Sequence, residues 1–82
     1  MIDSKAIESV VNGIKGVAHC HKIRTRGRCD DVHVDLHVVV DPAMRIKDAH
    51  QLSEEIEVAL KKTCVGVTDI VVHIEPAKCK EG

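Results

Sequence analysis

Alternation with a period of two dominates the middle of the chain. From Val32 to Val40 the sequence VHVDLHVVV places Val32, Val34, Leu36, Val38 and Val40 on one face of a strand. His33, Asp35, His37 and Val39 fall on the other. The first face is β-branched and apolar, fit to pack beneath helices. The second sets two imidazoles and a carboxylate in a row, where a solvated strand more usually carries Lys, Thr, Glu or Ser. Upstream, Ile7, Val10, Val11 and Ile14 fall at i, i+3, i+4, i+7 and predict an amphipathic helix. Asp3 or Ser4 caps it, Ile2 can staple its first turn, Gly13 weakens its last turn and Gly16 stops it. Between helix and central strand, VAHCHKIRTR (Val17 to Arg26) predicts a first strand with untidy alternation. Ala18 and Cys20 suggest one face and His21 and Ile23 the other, which a bulge or an edge position accounts for. Gly27 to Asp31 then predicts a polar hairpin turn.

Asp41-Pro42 ends the central strand, because proline donates no ladder hydrogen bond and restricts the residue before it. A second helix is expected from Ile46 or Lys47 to Lys62. Ala49, Leu52, Ile56, Ala59 and Leu60 form its apolar stripe, and His50, Glu54, Glu57 and Lys61 its polar flank. Gly66 follows as a terminator. The last strand runs from Asp69 to Glu75, with Ile70, Val72 and Ile74 on one face and Val71, His73 and Glu75 on the other; Pro76 closes it. The Lys-rich tail, 77–82, is expected to fray. A helical crossover joins the second and third strands, so they should lie parallel. The fold class is α+β: a two-layer αββαβ sandwich, two helices on one face of a three-stranded mixed sheet. The sheet's other face is left bare, and it carries His33, Asp35, His37, Val39, Val71, His73 and Glu75.

Length and composition narrow the function. Eighty-two residues make one domain, 1–82, which buries only about 60–65% of its unfolded surface and gains from oligomerisation or a bound metal. There is no Phe, Tyr or Trp, so no stacking platform for single-stranded nucleic acid exists. Twelve basic against thirteen acidic residues leave a net charge of -1, which argues against a phosphate-backbone footprint. No apolar run is long enough to span a membrane, and no signal peptide opens the sequence. Cys20, Cys29, Cys64 and Cys79 form no Cys-x-x-Cys pair and are expected to be reduced, cytosolic thiols.

Histidine is the candidate chemistry. Six occur, and His21, His37 and His73 fall one on each expected strand. Neighbouring side chains on one sheet face sit about 5 Å apart, close enough to share a metal ion. Neutral imidazoles suit zinc and other borderline divalent ions, carboxylates complete such sites, and Glu75 shares the face of His73. The alternative is a row of surface histidines on a solvated face. Arg24 and Arg26 read as a structural or salt-bridging pair. Glu54, Glu55 and Glu57 read as a solvated helix flank, and Val39 and Val71 as a dimer contact or a second small cluster.

Four stretches carry a family resemblance: HKIRTR at His21–Arg26, VDLHVVVD at Val34–Asp41, DAHQLSEEIE at Asp48–Glu57 and VVHIEP at Val71–Pro76. They resemble the His-x-Leu-Arg-x-Arg strand, the histidine-bearing second strand, the Ala-His helix opening and the His-x-Asp/Glu-Pro strand of the C-terminal cytoplasmic domain of cation diffusion facilitators, the zinc and iron transporter family. The resemblance implies a metallochaperone-like (ferredoxin-like) unit that forms a V-shaped homodimer with zinc near the interface. Carried over motif by motif, the ligands are His21, His37, His50, His73 and Glu75, the last usually Asp in the family. His19 and His33 lie outside that set, as solvent-facing residues or, less favoured, adventitious ligands; with Cys79 they are the weaker metal candidates. Zinc is the expected ion, with Cd, Ni, Co, Cu, Fe and Mn as alternatives. The imidazoles must be neutral to bind, which predicts affinity falling as pH drops through about 6.5.

The expected function is a cytoplasmic, metal-binding regulatory domain, not an enzyme. It either belongs to a transporter, beside that protein's transmembrane domain, or stands free as a buffer, sensor or chaperone. The competing class is a metal-independent dimerisation or protein-interaction module.

Overall fold

A computed structural model describes residues 3–78. Helix α1 (Ser4–Asn12) starts where the Asp3 carboxylate accepts the Lys5 N–H at 3.0 Å; the Ile2 staple lies outside the described residues. The helix ends sooner than Gly16, because the Gly13 N–H already turns back to the Ser9 and Val10 carbonyls. Ile14 leaves the helix yet still packs on the core beside Ile7 and Val11, both fully buried. Strands β1 (His19–Arg28) and β2 (Asp31–Val40) follow, joined through Cys29 and Asp30 alone. This is a tighter hairpin than the turn expected over Gly27 to Asp31. Gly27 permits it: at φ +107° its bare Cα passes where any Cβ would overlap the Asp31 carbonyl oxygen.

Helix α2 (Ile46–Thr63) and strand β3 (Val67–Pro76) complete the order. The predicted stripe of α2 is the buried one, with Leu52, Ile56 and Leu60 at 4%, 0% and 0% exposure. Gly66 does more than end a helix. At φ +99° a Cβ there would overlap the Cys29 carbonyl oxygen, and the Gly66 carbonyl accepts the Val32 N–H at 2.8 Å. The residue thus lets the start of β3 close against the hairpin tip, and β3 gains Val67 and Thr68 ahead of the predicted Asp69.

The sheet order is β1-β2-β3, antiparallel then parallel. Val32, Val34, Leu36, Val38 and Val40 meet both helices in one apolar cluster and are all at or below 7% exposure. At about 25 cal/mol per Å² of apolar surface, this is the burial that holds two helices to one sheet face. The untidy first strand has a definite cause. The pairing register slips between His21 and Arg24, so Lys22 and Ile23 together oppose one residue, and Lys22 adopts φ +52°. The slip returns Ile23 to the helix side with Cys20, where it packs on the core, instead of leaving it beside His21 as plain alternation predicts. It also brings His21 and Arg24 onto the same, helix-free face.

Candidate metal centre

The helix-free face is organised in rows across the strands. His21 pairs in register with His37, and His37 with His73. One row below, Arg24 opposes Asp35 and Asp35 opposes Val71; one row above, His19 opposes Val39 and Val39 opposes Glu75. Three imidazoles from three strands therefore lie side by side. The His37 and His73 rings stack at 4.6 Å with planes 17° apart, and His21 meets His37 edge-on at 5.7 Å.

Two carboxylates divide these rings between them. Glu75 takes two: His21 Nε2 lies 2.7 Å from Oε1 and His37 Nδ1 3.1 Å from Oε2. As hydrogen bonds these require a proton on each of the two nitrogens, donated to the carboxylate. They hold the Glu75 carboxyl below the ordinary carboxylate range, His37 contributing most and His21 next. The third ring, His73, turns the other way, with Nε2 3.0 Å from Oδ1 of Asp35. That approach lacks hydrogen-bond alignment, and Asp35 Oδ1 is buried with no hydrogen-bond partner.

In chemical terms, His21, His37 and Glu75 present donor atoms within 4.8 Å of one another, and so do Asp35, His37 and His73. Two nitrogens and a carboxylate are a suitable donor set for zinc or a related divalent ion. A buried carboxylate oxygen without a partner is the kind of atom a cation satisfies. The residues present fit a metal.

The other expected ligands are placed differently. His50 stands apart, on the helical layer, exposed and 3.2 Å from Glu54; within one chain it does not join the row. His33 is exposed and pairs with Asp31 at 3.2 Å, and His19 only edges His21 at 5.7 Å. Cys79 lies outside the described residues, as does most of the tail expected to fray; Cys20, Cys29 and Cys64 are free thiols. Every ion pair among the described residues joins a histidine to a carboxylate. Of the structural or salt-bridging roles expected of Arg24 and Arg26, the salt bridges are not made among the described residues. Val39 is 6% exposed and lines a hollow with His19, Lys22 and Pro76, whereas Val71 is 46% exposed. Alternation puts Asp35 on this face without marking it as a ligand; only the lean of His73 singles it out.

The far end of the same face gives a separate test of its electrostatics. The Thr68 hydroxyl donates to Asp31 Oδ1 at 2.6 Å, and this bond, then His33, holds the Asp31 carboxyl low. A depressed folded value means the contribution to stability is present above the ordinary carboxylate range and lost as pH falls through the folded value. Thr68→Val should raise the Asp31 titration midpoint towards the ordinary range, read by carboxyl-carbon NMR. An unmoved midpoint would show that Thr68 does not set it.

The sequence model of the family described as "Cation efflux protein, cytoplasmic domain" matches residues 1–77. The chain belongs to this family. It is 32% identical over 74 residues to the cation-efflux pump FieF of Pectobacterium atrosepticum, an alignment covering 90% of this chain and 24% of the pump. It is 30% identical over 71 residues to metal tolerance protein C1 of Arabidopsis thaliana, covering 87% of this chain and 15% of that protein. The chain thus spans a quarter or less of either relative. Among solved structures, a nickel form of a MamM CTD variant superposes with a TM-score of 0.84 at 20% identity, covering 92% of this chain and 95% of that one. That likeness shows the fold: the two-helix, three-strand arrangement is the one the family resemblance implied. Among the described residues, no helix is long and apolar enough to cross a membrane.

Proposed function

We propose that this chain is a divalent-metal-binding, homodimerising regulatory domain of a cation efflux transporter, working at the cytoplasmic face of the membrane, or a free-standing version of that domain. Zinc is the proposed ion. The observation that carries this reading is the register of His21, His37 and His73 across three strands, with Glu75 bonded to two of them, on the sheet face no helix covers. The half-exposed Val71 on that face supports its use in contact with a second copy. His50 then serves as a ligand only from the second subunit, since its own chain holds it on the helical layer.

The mechanism is a population shift. An ion binding across or beside the dimer interface favours the closed dimer by as much as its affinity for closed and open forms differs, and no more. Moving the ratio from 1:99 to 99:1 takes a preference of about 5.5 kcal/mol. Sedimentation and small-angle scattering with zinc and with chelator test it. The expected result is a dimer that becomes more compact on zinc. A dimer of the same mass and dimensions with and without metal would support the metal-independent interaction module instead.

A further inference from the structure

Charge is divided unevenly over this chain. Strand β1 carries four cations, Lys22, Arg24, Arg26 and Arg28, and no acid. All other residues together hold eight basic and thirteen acidic side chains, so β1 stands at +4 against -5 for the rest of a chain whose net charge is -1. Beyond the bulge, Arg24, Arg26 and Arg28 oppose Asp35, His33 and Asp31 in register, which puts all three on the helix-free face. Side chains on one face of a strand follow one another at about 7 Å, so the three form a row about 13 Å long. None makes an ion pair among the described residues. Asp31 is bonded to Thr68 and His33 instead, and Asp35 is met by His73. The row also lies on an edge. The sheet order leaves the outer side of β1 without a strand, and every residue from Arg24 to Arg28 is exposed, Thr25 and Gly27 on the helix side included. Such an edge offers its backbone N–H and C=O groups to whatever lies beside it. Its ends are fixed by the bulge at Lys22 and Ile23 and by the turn at Cys29 and Asp30.

We propose that the β1 edge from Arg24 to Arg28 docks an extended acidic segment of a partner protein, which joins the sheet as a fourth strand with Asp or Glu at alternate positions. The period of two selects this chemistry. Every second residue of a docked strand falls on the helix-free face, across from Arg24, Arg26 or Arg28 at about 5 Å. Backbone hydrogen bonds then supply the attachment and the alternate carboxylates the selectivity, since a guanidinium fork accommodates both oxygens of a carboxylate. Arg26 and Arg28, with Gly27, Asp31 and His33, line a hollow that can receive one such side chain. A second copy of β1 is the wrong occupant. Two-fold antiparallel pairing centred on Arg26 sets Arg26 against Arg26 and Arg24 against Arg28, and like charges directly opposite repel. A flat anionic bilayer fits less well than a strand, because the same face presents Asp31, Asp35 and, in register with His33, Asp69. A single strand meets the edge without covering those acids. The inference is independent of metal binding.

The test uses the full chain, in chelator and at low salt, with two end-blocked fluorescent peptides built from the same Glu and Thr residues. One alternates them; the other groups the Glu residues in a block. By fluorescence anisotropy the alternating peptide should bind about tenfold more tightly than the block. In NMR it should shift the backbone amides from Arg24 to Arg28 and slow their exchange with solvent. Arg24→Gln, Arg26→Gln and Arg28→Gln combined should weaken binding by about tenfold or more, and Lys at the same three positions should recover part of the loss. All three side chains are exposed, so far-ultraviolet circular dichroism should be unchanged. Should the triple variant lower it, Arg26→Gln alone carries the test, with a loss of about threefold. Equal binding of the two peptides, or binding indifferent to the Gln variants, would overturn the proposal. Vesicles of phosphatidylcholine and phosphatidylserine that bind the chain through these arginines while neither peptide does would overturn it in favour of a membrane surface. A chain that binds neither peptides nor vesicles would overturn it too, leaving the row only the task of keeping copies of β1 apart.

Discussion

His37→Ala should weaken zinc binding by about a hundredfold or more, equivalent to about 2.7 kcal/mol, while leaving the fold in place. No other residue occupies its position. It sits on the central strand, its ring touches those of His21 and His73, its Nδ1 meets Glu75, and it belongs to both donor groups. Its side chain faces away from the apolar cluster, so removing the ring opens no cavity among Val34, Leu36 and Val38. Far-ultraviolet circular dichroism should therefore be unchanged. Zinc supplied at a hundred times its dissociation constant stabilises a folded protein by about 2.7 kcal/mol. The wild type should show that rise in thermal stability and His37→Ala should lose it. His33→Ala, whose ring is tied to Asp31 at the hairpin end, is the control and should keep both binding and stabilisation. Equal effects at His33 and His37 would mean that zinc is held by surface histidines in general and not by the row.

The opposite face should respond in the opposite way. Leu36→Ala is expected to cost about 2–5 kcal/mol, the range for removing most of a buried leucine and leaving a cavity. Leu36 is fully buried, one of the largest side chains in the core, and belongs to the cluster that residues of both helices complete. A typical domain holds only about 5–15 kcal/mol in total, and a chain of this length sits at the low end. A large part of the molecules should then be unfolded at physiological temperature, with the midpoint of urea denaturation displaced strongly downwards. Val71→Ala, on the helix-free face and 46% exposed, should change monomer stability by less than about 0.5 kcal/mol. A Leu36→Ala cost below about 1 kcal/mol would contradict the core described here, since even modest collapse of the site leaves more than that.

Most of the fold was legible because the periodicities are strong where burial is one-sided. Val32 to Val40 alternate without a break, and the i, i+3, i+4 stripe of Leu52, Ile56 and Leu60 is the buried one. Legibility failed where backbone geometry replaced side-chain pattern. Lys22 enters the left-handed region at a bulge, which moves Ile23 to the core and could not be fixed from alternation alone. Gly66 reads as a helix terminator, whereas its close approach to Cys29 depends on a hairpin distant in sequence. In the candidate site, the row of His21, His37 and His73 followed from one histidine per strand and the right register. The choice of carboxylates did not follow. Glu75 could be expected because it shares a face with His73, yet it bonds His21 and His37, while His73 turns to Asp35. Such choices depend on diagonal reach between parallel strands, a property of register and twist that a linear pattern does not carry. His50 marks the remaining gap: a family motif names it, and a single chain keeps it on the wrong layer for the row.

The most direct test of the account is a zinc titration of the wild-type chain, free of any histidine tag, followed through its imidazole NMR signals at neutral pH. The signals of His21, His37 and His73 should shift or broaden together and saturate at a fixed ratio of zinc to chain, while that of His33 stays in place. Signals of all six histidines drifting in parallel without saturation, or none moving, would contradict it.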